Sequence, residues 1–68
     1  MDAKSFLDTY GKEEAARVAE AAGTNYAYFN QIIYGHRRPS VELAEKLVDA
    51  SEGRLDFVLL IKSKLWNQ

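Results

Sequence analysis

Apolar side chains recur along this chain at helical spacing, and polar residues interrupt them at regular points. Ala3, Phe6, Leu7 and Tyr10 stand at i, i+3, i+4 and i+7, one face of a helix. Asp2 can cap that helix and Gly11 can stop it. A second helix is predicted from Lys12 or Glu13 to Ala22, with Ala15, Val18, Ala19 and Ala22 as its apolar stripe. Glu13 and Glu14 fall in its first turn, where they suit the helix dipole. Asn25 can cap a third helix running to about Tyr34, and Gly35 ends it. Pro39 keeps the basic loop His36-Arg37-Arg38-Pro39 from continuing the helix. Ser40 then caps a fourth helix with Leu43, Ala44, Leu47 and Val48 inward, broken at Ser51-Glu52-Gly53.

Leu55 and the run Phe57 to Ile61 cannot be assigned by periodicity alone. Leu59, Leu60, Lys62, Lys64 and Leu65 favour a fifth helix, with Asp56 as its cap. The run is apolar nearly all round, with Trp66 beyond it. One small core cannot cover every side of such a helix. Residues 55–66 are therefore the expected dimerisation segment, with Phe57, Leu60, Ile61, Leu65 and Trp66 at the interface. The reading is all-α: a single domain over residues 1–68, with five short helices. Phe6, Leu7, Val18, Phe29, Ile32, Leu43 and Leu47 are the expected core.

The stretch from Ala15 to Gly35 adds a specific geometry. Ala19 stands four places before Gly23, and Phe29 and Ile32 follow. A small residue lets the next helix approach, a glycine takes the positive φ of a tight turn, and two apolar groups plug the joint. Such a pair leaves its second helix standing out from the body, shaped to enter a major groove.

Composition narrows the function classes. With 68 residues there is room for one small core. There is no cysteine and one histidine, so neither a disulfide framework nor a zinc site is expected. No cofactor, small-molecule ligand or catalytic constellation emerges. No apolar run reaches the length of a membrane span, and the first residues lack the pattern of an export signal, so a cytoplasmic location is expected. The net charge of −1 argues at first against a nucleic-acid partner. Its distribution argues for one: between Glu20 and Glu42 there is no carboxylate, while His36, Arg37 and Arg38 lie inside that gap.

Residues 15 to 35, with Gly-His-Arg-Arg-Pro-Ser at 35–40 and Glu-Leu-Ala-Glu-Lys-Leu at 42–47, resemble the lambda-repressor/Cro class of phage and bacterial helix-turn-helix proteins. The resemblance spans residues 3 to about 52. It implies a five-helix, lambda-repressor-like DNA-binding domain with the helix-turn-helix at helices two and three. It also implies a homodimer on a pseudo-palindromic double-stranded operator, most simply as a repressor. By that resemblance Tyr26, Ala27, Tyr28, Asn30 and Gln31 face bases. Asn and Gln amides can pair with adenine, and Ala27 can touch a thymine methyl. Lys12, Arg17, Asn25, Arg37, Arg38 and Ser40 are the expected phosphate contacts. The chain departs from the family pattern at Thr24, where an aliphatic residue is more usual, and in a recognition helix without Lys or Arg. An antitoxin-like interaction module, with DNA binding secondary, is the alternative that the acidic balance and the apolar tail feed.

Overall fold

A computed structural model describes residues 1–62. Within them the chain is all-helical: α1 (Ala3–Ala21), α2 (Tyr26–Ile33), α3 (Val41–Ala50) and α4 (Phe57–Ile61). No helix among these residues is long and apolar enough to cross a membrane.

Four elements stand where five are expected, because the first two predicted helices form one kinked element. Gly11 adopts φ 90° and ψ 171° inside α1. The break is one residue long, so the halves abut with no linker between them. Every helix has a side-chain cap at its start. Asp2 accepts from the Ser5 amide, Asn25 from Tyr28, Ser40 from Leu43 and Asp56 from Leu59. Each such cap satisfies an amide that has no partner inside its helix, and each contributes about 1 kcal/mol.

The turn between α1 and α2 is set by the end of α1. Gly23 takes φ 89°; its amide donates to the Glu20 carbonyl, and the Thr24 amide reaches back to Ala19. This pair of bonds closes the helix and turns the chain within four residues. A side chain at position 23 would be strained by that φ even though open space surrounds it.

The core gathers one face from each helix. Phe6, Val18, Ala19, Phe29, Ile32, Ile33, Leu47, Leu55 and Leu60 are buried, with Ala3, Ala15, Ala22 and Ala44 filling the closest approaches. Leu7 and Leu43 are half-buried at its edge. Within the described residues α4 spans Phe57–Ile61, and it sorts its side chains. Leu60 is 1% exposed and packs inside its own chain, so it is withdrawn from the expected dimer interface. Phe57 and Ile61 are half-buried against the core, while Val58 and Leu59 stand 56% and 42% exposed. Leu65 and Trp66 lie outside the described residues.

Candidate nucleic-acid interface

Phe29, Ile32 and Ile33 fix the orientation of α2 by turning one face into the core. Helical spacing then places Ala27, Gln31 and Tyr34 opposite, and all three are exposed. Tyr34 belongs to this outward row although it was not among the expected site residues. The signal was present in its spacing, seven residues after Ala27 and three after Gln31. The Lys4 ammonium stands 6.0 Å from the Tyr34 ring centroid and is bonded to Asp8 at 2.9 Å.

Two polar clusters flank the row. On one side Tyr26 is half-buried, with the Lys12 ammonium 5.4 Å above its ring. The Asn30 amide donates to the Tyr26 hydroxyl at 3.3 Å. Asn30 is therefore half-buried and partly engaged, rather than a freely solvated reader. On the other side the Arg37 guanidinium lies 5.1 Å from the Tyr28 ring centroid, and its Nε donates to Gln31 Oε1 at 2.9 Å. Such cation–ring contacts contribute about 0.5–1 kcal/mol at exposed sites. Here they hold each long cation at the edge of α2.

Not every expected contact residue joins this face. Asn25 and Ser40 serve as caps, their side-chain oxygens occupied by the Tyr28 and Leu43 amides at 2.8 and 3.0 Å. Both residues remain exposed, as do His36 and Arg38 in the loop after α2. Arg17 is drawn elsewhere. Its guanidinium makes a two-pronged pair with Glu14 at 2.9 and 2.8 Å and approaches the Ala50 carbonyl at the end of α3. Lys12 and Arg17 thus serve opposite flanks of α1.

Glu14 is the centre of the clasp that holds the back of the domain. Arg54 donates to it at 2.6 Å and to the Ser51 carbonyl at 2.7 Å. The Arg54 guanidinium also lies 5.1 Å from the Phe6 ring centroid and 4.5 Å from that of Tyr10. Buried Ser51 completes the corner by donating to the Val48 carbonyl and accepting from the Leu55 amide. Hydrogen bonds from Arg17 first, then Arg54, lower the Glu14 carboxyl to a pKa of about 2. A carboxyl lowered on folding stabilises fully above its unfolded value, and the contribution fades as pH falls through the folded one. Wild type should therefore lose this stabilisation between pH 4.5 and about 2. Glu14→Gln should be less stable than wild type at pH 7 and converge with it in acid. Urea midpoints at pH 7 and pH 3 check this; an unchanged gap would remove Glu14 from the clasp.

Among the described residues no group of His, Cys, Asp or Glu is arranged to hold a metal ion. The stretch around α2, residues 21–41, carries no carboxylate in the folded chain, while Glu13 and Glu20 are exposed on α1. No family model matches this sequence, and searches of curated proteins and of solved structures return no match.

Proposed function

We propose that the chain is a sequence-specific DNA-binding transcriptional regulator that acts as a dimer on a pseudo-palindromic operator, in the manner of a Cro-like repressor. The second half of α1 and α2 form its helix-turn-helix, and α2 is the recognition helix. Counted as two segments about Gly11, α1 brings the order to that of a five-helix, lambda-repressor-like domain.

The outward side of α2 carries this reading. Exposed Ala27, Gln31 and Tyr34 run between Lys12 on one edge and Arg37 on the other, with no acid from residue 21 to 41. Base edges need neutral donors, acceptors and small apolar groups at the centre of a face. Phosphates need cations at its margins. Because α2 has no Lys or Arg, sequence-independent affinity falls to a few marginal cations, and the salt dependence should be shallow.

Dimerisation is assigned to the exposed side of α4, at Val58 and Leu59. Selection from a random-sequence duplex pool should return a dyad-symmetric site. Leu59→Glu should shift sedimentation toward monomer and weaken binding to that site, with the circular dichroism of the fold retained. A wild-type protein that stays monomeric at high micromolar concentration and enriches no sequence would overturn the regulator. It would turn the apolar side of α4 toward the antitoxin-like reading, in which a different protein covers it.

A further inference from the structure

Gln31 and Arg37 are six residues apart in sequence yet joined by a hydrogen bond of 2.9 Å. The turn after α2 is the cause. Gly35 takes φ 80°, its amide donates to the Ile32 carbonyl, and the His36 amide reaches back to the Gln31 carbonyl. This folds the chain back along the last turn of α2 and returns Arg37 to its outward side. Arg37 is then held from two directions: by the Tyr28 ring at 5.1 Å and by Gln31 Oε1.

We propose that Arg37 is a specificity-determining residue that turns Gln31 from a reader of adenine into a reader of guanine. The inference rests on the DNA-binding reading above. A free glutamine pairs with adenine by donating to N7 and accepting from the N6 amino group. Arg37 Nε–H can only donate, so it faces the Gln31 oxygen and leaves the NH2 group pointing away. One of the two lone pairs of the acceptor that adenine needs is occupied, and a fixed positive charge stands beside the other. An incoming N6 amino group meets a half-occupied acceptor crowded by a cation and its outward hydrogens. Guanine presents N7 and O6, two acceptors, to the same edge. There it meets the Gln31 amide hydrogens and the remaining guanidinium hydrogens, an edge dominated by donors. Arg37 thus adds base selection to the phosphate contact that its loop position gives it.

Arg37→Lys separates the two roles. Lysine keeps the charge, and with it a phosphate contact, but has no planar Nε donor and stacks less well on tyrosine. Duplexes selected from a random pool by wild type should carry guanine at one position of each half-site. Those selected by Arg37→Lys should move toward adenine there, with relative affinity changing by at least about fivefold. The slope of log K against log salt should stay the same. An unchanged base preference in Arg37→Lys would overturn the proposal and return Arg37 to the phosphates. The pairing has its own readout without DNA. The Arg37 Nε–H resonance of the free protein should move in Gln31→Ala, and indifference to that change would overturn the proposal directly. If that resonance moves but wild type enriches no sequence, it is the DNA-binding reading that fails, and the guanine assignment falls with it.

Discussion

Phe29→Ala should leave most molecules unfolded at room temperature. Phe29 is 0% exposed and lies on the face of α2 that meets the core, in one buried cluster with Val18, Ala19, Ile32 and Leu47. Removing a buried phenyl ring from such a site costs about 3–5 kcal/mol, through lost burial and the cavity left behind. A domain of this size rarely holds more than about 3–5 kcal/mol from a single core. The substitution therefore consumes nearly the whole margin. Phe57→Ala is the control, since Phe57 is only half-buried on short α4 and its loss should be tolerated better. Thermal melts followed by far-UV circular dichroism compare the two. A cooperative Phe29→Ala transition within a few degrees of wild type would mean that α2 is not anchored as described.

The elements that can be read from local chemistry are the ones the chain announces. Asp2, Asn25, Ser40 and Asp56 each precede a helix and can serve only the amides just ahead of them, so their roles follow from position. Gly23 and Gly35 are legible for the same reason. What fails is anything decided at longer range. In Phe57–Ile61 every residue is apolar, so no contrast along the sequence distinguishes inward Leu60 from outward Leu59. The Arg17–Glu14 pair is three residues apart and open to inspection. The competing partner Arg54 comes from forty residues away, and only the packing of the α3–α4 corner on α1 brings it there. The outward side of α2 is legible too: Ala27 and Gln31 fall outward as their spacing requires. Asn30, expected to face bases, is half-buried, and the Tyr26 hydroxyl one turn earlier accepts from its amide, a contact that spacing alone does not announce. The Gln31–Arg37 bond was hidden because it crosses a turn whose exact path no periodicity encodes.

Ala27→Glu should abolish DNA binding while sparing the fold. Ala27 is exposed at the start of the outward row, two residues after the Asn25 cap. A glutamate in the first turn of a helix faces the positive end of the dipole and costs the helix nothing. On a bound duplex the same carboxylate would be pressed against base acceptors and phosphates. Like-charge contact at a docked surface costs several kcal/mol, which corresponds to a loss on the order of a hundredfold or more in affinity. Anisotropy of a labelled duplex at one fixed salt concentration measures the loss, and an unchanged melting temperature confirms the fold. Affinity within about threefold of wild type would move the contact surface off α2.

Chemical-shift mapping of the 15N-labelled wild-type chain during addition of a random-sequence duplex at low salt locates the contact surface without an operator in hand. The backbone amides of Ala27, Gln31, Tyr34 and Arg37, with the side-chain amides of Gln31 and Asn30, should shift first and furthest. The outer side of α1 at Glu13, Arg17 and Glu20, and the exposed side of α4 at Val58 and Leu59, should stay still at the earliest additions. A spectrum that does not change with duplex, or one whose changes gather on α3 and α4 while α2 is silent, would contradict a recognition helix at Tyr26–Ile33.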